Sequence, residues 1–463
     1  MRLNYFNFKR FGSKILLTND FGCYVFVTPS EFSQILHKCV DEDSPLGKEL
    51  SEKRFVYYDT SLEFSAFAKY GMREAKRHLA AGTSLHIFVV TTACNAVCVY
   101  CQANNGITVP TLYMDEKMAE KAVDIALQSP ELELSFEFQG GEPLLNFEII
   151  KHIVEYTEEK KNWHDVKYSI VTNLTLLTDE IIDFLEENKV SVSTSVDGPY
   201  FIHNLNRPLK DGTGSFAKVL NSIERLRDRN ICVGAIQTTT KASLNFPKEI
   251  VRAYKEIGFD SIFIRPLTPL GKASKDWDDI GYTPEEFLTF YTLAVDELLV
   301  INKEGYFLRE NQAAILLEKM NGESLNYMEL RSPCGAGVGQ IAYYADGNIF
   351  TCDEGRMLYE MGDDTFQLGN VFSSTYSDLI KNSNCKTVCA ASILEALPGC
   401  CDCIYQPFCG TCPVVNYAKT HDLIDKTPRG YKCKIYSGIL DYLFALRLDN
   451  DEKVQMVLNS WGN

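Results

Sequence analysis

The 463-residue chain has no apolar run long enough to span a bilayer and no cationic, then apolar, N-terminus of signal-peptide form. It also has no internal repeat and no low-complexity tract. These absences predict a cytoplasmic protein with no membrane partner. An excess of positive charge is missing too: 46 Lys and Arg stand against 62 Asp and Glu, a formal net charge of −16. So acidic a chain repels phosphate, which excludes nucleic acid as the expected partner and suits a neutral or basic peptide better. Hydrophobic residues at 45% and charged residues at 23% describe a globular protein with length for two or three domains. What the chain does have is cysteine, sixteen of them, many in the last third. Disulfides do not persist in a reducing cell interior, so metal ligation is the better account.

Three cysteines open the argument: Cys94, Cys98 and Cys101, in the spacing Cys-x3-Cys-x2-Cys. Three thiolates hold three corners of a cubane 4Fe–4S cluster and leave the fourth iron open for a second molecule. The preceding run Leu85-His86-Ile87-Phe88-Val89-Val90 reads as a buried strand. The cysteines then occupy the loop at a strand's C-terminal end, where (β/α) barrels keep their chemistry. The plainer alternatives are a zinc site or a chance cluster of thiols. A second element follows the strand Leu134–Phe138: Gln139-Gly140-Gly141-Glu142-Pro143. Paired glycines allow close approach of the backbone to a ligand, and a carboxylate can accept from an ammonium.

Together these motifs resemble the signature of radical S-adenosylmethionine (SAM) enzymes. The resemblance implies a SAM-binding 4Fe–4S cluster on Cys94, Cys98 and Cys101, with Tyr100 near the adenine. It further implies that Gly140, Gly141 and Glu142 bind the amino group of SAM. Strand three ends at Val171-Thr172-Asn173, and Asn173 holds a usual position for a cofactor contact. Ser195-Val196-Asp197-Gly198-Pro199, followed by His203 and Arg207, resembles a pattern of sulfatase-maturating and peptide-maturing members. There Ser195 would meet the ribose or carboxylate side of SAM and Arg207 would help hold the carboxylate. Each could equally be a loop cap or a surface pair.

Around these motifs, strand candidates at 85–90, 133–138, 167–171, 191–196, 232–238 and 261–265 alternate with helical stretches. The fold class expected is α/β, a partial (β/α)6 barrel of TIM type. It carries a small N-terminal hairpin domain resembling a winged helix, and a cysteine-rich C-terminal extension. The divisions expected are 1–59, a peptide-recognition-like unit; 60–82, a linker helix; 83–330, the barrel; and 331–463, the extension. In the first unit, Lys14–Thr18 and Cys23–Val27 read as a hairpin. Thr28-Pro29-Ser30-Glu31 then opens a capped helix, with Val27 and Phe32 at the two staple positions. That unit either recognises a leader peptide or caps the barrel. Cys23, Cys39 and Cys232 sit in apolar sequence and are expected as buried core thiols.

Past residue 330 come Cys334, Cys352, then Cys400-x2-Cys403-x5-Cys409-x2-Cys412 and Cys433. This resembles the seven-cysteine SPASM extension, which carries two auxiliary iron–sulfur clusters; one family interval of three residues is two here. The resemblance assigns Cys334, Cys352 and Cys412 to the first auxiliary cluster and Cys400, Cys403, Cys409 and Cys433 to the second. Cys385 and Cys389 are candidates for the missing fourth ligand of the first, as is an open iron. Cys401 is a free thiol or an alternative ligand. A structural zinc ribbon is the other reading of this region. Asp353, directly after Cys352, matches an acid–base position of sulfatase-maturating relatives or is a plain turn residue.

The expected activity is reductive cleavage of SAM followed by post-translational modification of a ribosomally made peptide or small protein. A low-potential electron donor of flavodoxin or ferredoxin type is the implied partner. Over its whole length, in the N-terminal segment, the stretch Phe138-Gln139-Gly140-Gly141-Glu142-Pro143-Leu144-Leu145-Asn146 and the ending Pro407-Phe408-Cys409-Gly410-Thr411-Cys412-Pro413, the chain is most similar to the maturases of the His-Xaa-Ser peptide system. An anaerobic sulfatase-maturating enzyme making formylglycine, and a non-catalytic iron–sulfur carrier or scaffold, are the alternatives.

Overall fold

The computed structural model describes residues 1–58, 62–103, 111–322, 326–424, 430–449 and 451–462. Its centre is a ten-stranded sheet. Six strands run in parallel and in sequence order: Leu85–Thr91, Glu133–Gly140, Asp165–Val171, Ser191–Ser195, Val233–Thr238 and Ser261–Arg265. These are the six predicted strands, with ends moved by a residue or two. Burial alternates along the second strand: Leu134, Phe136 and Phe138 are buried, while Ser135, Glu137 and Gln139 keep some exposure.

The barrel is open. A short seventh parallel strand, Arg309–Glu310, extends one edge beside Ser261–Arg265. At the other edge, Leu85–Thr91 pairs with Gln340–Tyr343 in parallel, followed by the antiparallel strands Asn348–Phe350 and Gln367–Asn370. The C-terminal extension thus shares the barrel's sheet, and the cysteine-rich segments hang from strands that flank the first barrel strand.

The N-terminal unit is a three-stranded antiparallel sheet of Asn7–Phe11, Lys14–Thr18 and Tyr24–Val27, followed by two helices. The first helix, Pro29–Leu36, has the expected capping box: the Thr28 hydroxyl accepts from the Glu31 amide while Glu31 accepts from Thr28. Arg2–Leu3 pairs with Val56–Tyr57 and closes the unit on itself. The connecting helix runs Leu62–Ala75 and passes into a short 3-10 turn, Arg77–Ala80, in place of one helix over the whole of the expected 60–82 linker.

One group of cysteines departs from expectation. Cys39 and Cys232 are exposed and Cys23 only half-buried. Cys39 follows Lys38, whose φ of 59° turns the chain outward after the first helix, and Cys232 precedes the rim end of the fifth barrel strand. At Cys232 the apolar neighbours Ile231 and Val233 are half-buried while the thiol between them is exposed, as period-two alternation gives.

Candidate functional site

The first barrel strand ends in a register irregularity between Val89 and Thr91, and the cysteine loop follows it. Bulges of this kind re-aim the chain next to active sites. The loop is held from three sides. Gly141 N donates to Thr91 O at 2.9 Å and Glu142 N to Ala93 O at 2.7 Å. Val97 N and Val99 N donate to the carbonyls of Pro208 and Asn206, each at 2.9 Å, while Lys210 N donates to Asn95 O. Lys272 N donates to Cys101 O at 2.9 Å.

The paired glycines therefore serve the loop. A Cβ built on Gly140 would lie 2.2 Å from Thr91 O, and one on Gly141 would lie 2.2 Å from Ala93 O. Only hydrogen fits there, which lets the second strand's end lie along the cysteine loop. Glu142 follows, fully buried. Its carboxylate accepts from the Thr172 hydroxyl, from Asn173 N at 2.8 Å and from Leu144 N at 3.2 Å. Burial wins over these donors and pushes the carboxyl up to about 7. Asn173 in turn donates from Nδ2 to Asn95 Oδ1 at 2.9 Å, reaching back to the cysteine loop.

A residue the sequence reading left without a role, Asp197, is the hub of the opposite wall. It is fully buried and accepts from the Tyr100 hydroxyl at 2.7 and 3.0 Å, from Asn206 Nδ2 at 3.1 Å and from Thr238 N at 3.3 Å. Arg207 Nε lies 3.2 Å from Asp197 Oδ2, and its guanidinium stands 5.1 Å from the centre of the Tyr100 ring. Tyr100 and Arg207 are thus packed on each other within the loop's support. His203 is also buried, with Nε2 3.0 Å from Ser215 Oγ, and desolvation pulls it down to about 4. Cys98, Asn173, Ser195 and Arg207 line one small cavity.

Burial dominates all three thiols of the loop: Cys94 is pushed up to about 11, Cys101 up to about 12, and Cys98 in the same direction. Each of these buried thiolates needs a local positive charge, and a ligated cluster provides it. Among the described residues no three His, Cys, Asp or Glu side chains converge closely enough to share one metal ion. A cubane spreads its thiolates over separate irons, so that spacing bears on a mononuclear site and not on a cluster.

In the extension, Cys334, Cys352 and Cys412 share one buried cluster of side chains with Met357 and Leu358, and each thiolate disfavours the next. Cys409 lies in the field of Cys433, Cys403 and Cys400, in that order of strength after burial, and is pushed up to about 12. The two sets lie apart in space as the resemblance groups them, even though Cys412 stands only three residues after Cys409. Cys385 and Cys389 occupy successive turns of the helix Ser383–Ala390 and hydrogen-bond to each other. That bond and nearby Arg331 take Cys389 down to about 7. Asp353 starts the helix Asp353–Glu360, N-capped by Cys352, and pairs with buried Arg356 at 2.7 Å; Arg356 also meets Glu360 at 2.9 Å. Glu137 of the second barrel strand is raised by burial and then by the charge of Asp353.

Residues 88–241 match the Radical SAM superfamily. They form a radical SAM domain, and the protein is an enzyme of that class. A relative from Methanocaldococcus jannaschii, an uncharacterized protein, is 34% identical over 186 residues, 40% of this chain and 63% of its own length. The cysteine-type anaerobic sulfatase-maturating enzyme of Clostridium perfringens strain 13 is 28% identical over 380 residues, 78% of this chain and 96% of its own. Among solved structures, native anSMEcpe with bound AdoMet and Kp18Cys peptide matches with a TM-score of 0.67 at 23% identity, over 82% of this chain and 99% of its own. Streptococcus suis SuiB bound to precursor peptide SuiA matches with 0.52 at 16%, over 92% and 98%. The chain shares its overall α/β fold with these two proteins over 82% and 92% of its length. No helix among the described residues is long and apolar enough to cross a membrane.

Proposed function

We propose that this is a SPASM-type radical SAM maturase that modifies a ribosomally made peptide or small protein. The observation that supports the reading is the mutual proximity of ten cysteines within three sets, 94/98/101, 334/352/412 and 400/403/409/433. The first set fits a SAM-binding 4Fe–4S cluster, and the others fit two auxiliary clusters. Cluster and SAM, when bound, supply reductive cleavage of the sulfonium to methionine and a 5′-deoxyadenosyl radical. The chain's residues do the rest. Gly140, Gly141, Glu142 and Asn173 fix the loop and one wall of the SAM site, Ser195 and Arg207 the other. Because Glu142 is enclosed and satisfied, its first task is holding the loop ends together; an ammonium reaches it only as Thr172 or Asn173 gives way. Asp353, oriented by Arg356, is the group placed to take a proton from the substrate. A low-potential flavodoxin or ferredoxin is the proposed donor.

The His-Xaa-Ser type is proposed on the sequence resemblance alone; the fold is shared both with peptide-bound SuiB, over 92% of this chain, and with peptide-bound anSMEcpe, over 82%. The test incubates the reduced, anaerobically reconstituted protein with SAM and with small peptides encoded by neighbouring genes. The expected result is a mass change in one such peptide with one 5′-deoxyadenosine per event. Conversion of a sulfatase peptide to formylglycine, with the neighbouring peptides untouched, would support the alternative. Asp353→Asn is expected to keep SAM cleavage and to lower peptide product by about 10²-fold, the range of a lost acid–base group. Unchanged product would reduce Asp353 to a helix-start residue.

A further inference from the structure

The strand Asn7–Phe11 presents two unlike faces: Asn7, Lys9 and Phe11 are buried or half-buried, while Phe8 and Arg10 are exposed. The inward row meets the run Cys401–Tyr405, between the cysteines of the second auxiliary set. Asn7 Nδ2 donates to Cys403 O at 3.2 Å and to Cys401 O at 3.5 Å. The Tyr5 hydroxyl donates to Asp402 Oδ1 at 3.0 Å. From the next strand, Thr18 Oγ1 donates to Ile404 O at 2.7 Å in a fully buried bond. Lys9 Nζ donates to the Tyr405 hydroxyl and to Asp441 Oδ1, each at 2.6 Å. All five residues of the run have a partner on the N-terminal unit. Tyr24 and Phe26 pack behind them on Phe444, at 5.2 and 6.1 Å between ring centres. Phe444 belongs to the helix Tyr431–Leu448, which also carries Cys433.

We propose that the N-terminal sheet is the outer wall of the second auxiliary cluster, with Asn7 and Lys9 as positioning residues that fix the Cys400–Cys409 loop and set the cluster's reduction potential. The inference rests on the reading that Cys400, Cys403, Cys409 and Cys433 hold a cluster. Partners beyond the ligands orient them and tune the metal group, and net charge nearby sets its potential. An ammonium beside the loop favours the more negative, reduced state. Removing it lowers the potential, and removing the Asn7 clamp frees the Cys403 carbonyl and loosens a ligand.

The experiment compares full-length, anaerobically reconstituted wild type with Asn7→Leu, Lys9→Met and Arg10→Met. It measures iron content and an EPR-monitored redox titration of each cluster signal. Arg10→Met removes the same charge from the same strand, one residue over, on the exposed face. Lys9→Met is expected to move one auxiliary signal to lower potential while Arg10→Met leaves all signals in place. Asn7→Leu is expected to alter the same signal or to lose about four irons per chain. If Lys9→Met shifts nothing beyond Arg10→Met, the wall is passive and the inference fails, whether or not Asn7→Leu folds. A wild-type protein holding only about eight irons would instead remove the cluster reading beneath it.

Discussion

Gly141→Ala is the most informative single-carbon change. Gly141 needs no unusual backbone conformation, so alanine's effect there is contact alone. Its Cβ would stand 2.2 Å from Ala93 O, 2.7 Å from Ala93 C and 2.8 Å from Thr92 O. All three are main-chain atoms of the cysteine loop, which cannot rotate away as a side chain would. Relief requires a displacement of roughly 1 Å, and overpacking of this kind costs about 1–3 kcal/mol. The same movement breaks or stretches the bonds Gly141 N to Thr91 O and Glu142 N to Ala93 O, at about 1 kcal/mol each. The expected loss of stability is about 2–4 kcal/mol. A 1 Å misplacement at a reacting centre also lowers rate by about 10²-fold. Gly234→Ala is the control: it lies on the fifth barrel strand, where the nearest atom to its Cβ is Val192 O at 3.9 Å. There alanine is expected to be neutral or stabilising by about 0.5 kcal/mol. The assays are urea unfolding of the cluster-free protein and 5′-deoxyadenosine formation by the reconstituted one. Equal stability and equal cleavage in the two variants would refute the argument that the glycine pair exists to seat the loop.

Two further changes test the opposite wall. Asp197→Asn leaves buried Arg207 without its counter-charge and weakens the acceptor for Tyr100, Asn206 and Thr238; a loss of about 3 kcal/mol in urea unfolding is expected. A change under about 0.5 kcal/mol would mean that the hub contributes little to stability. His203 is held neutral, its pKa taken from 6.5 to about 4 by burial, so the unfolded chain takes up the proton first. Its contribution is complete above about pH 6.5 and is lost as pH falls towards about 4, at most about 3 kcal/mol. His203→Gln is therefore expected to flatten the wild-type fall in stability between pH 7.5 and 5. An unchanged slope would assign that fall to other groups.

The parts of this fold legible in sequence were those with local periodicity or local chemistry. Six barrel strands were visible because each is a short apolar or alternating run, and the Thr28 helix start because capping is read over four residues. The Cys94, Cys98 and Cys101 set was legible by spacing, since ligand geometry constrains residues close in sequence, whereas the two auxiliary sets came from the family resemblance, because Cys334, Cys352 and Cys412 lie far apart along the chain. The connections between distant segments were not. Asp197 stands inside a motif that the sequence reading quoted, yet its four partners come from three other segments, which no local pattern reveals. The docking of Asn7 and Lys9 on residues almost four hundred positions away was hidden for the same reason. It also makes the N-terminal unit a poor candidate for simple deletion, because Tyr405 and Phe444 would lose their cover.

The central claim is that Cys94, Cys98 and Cys101 alone hold the cluster at which SAM is cleaved. The direct measurement is 5′-deoxyadenosine formation under dithionite by the triple variant Cys94→Ala, Cys98→Ala, Cys101→Ala, with iron counted in the same sample. Loss of all cleavage, with iron falling from about twelve to about eight per chain, is the predicted result. Continued release of 5′-deoxyadenosine, or unchanged iron, would contradict it.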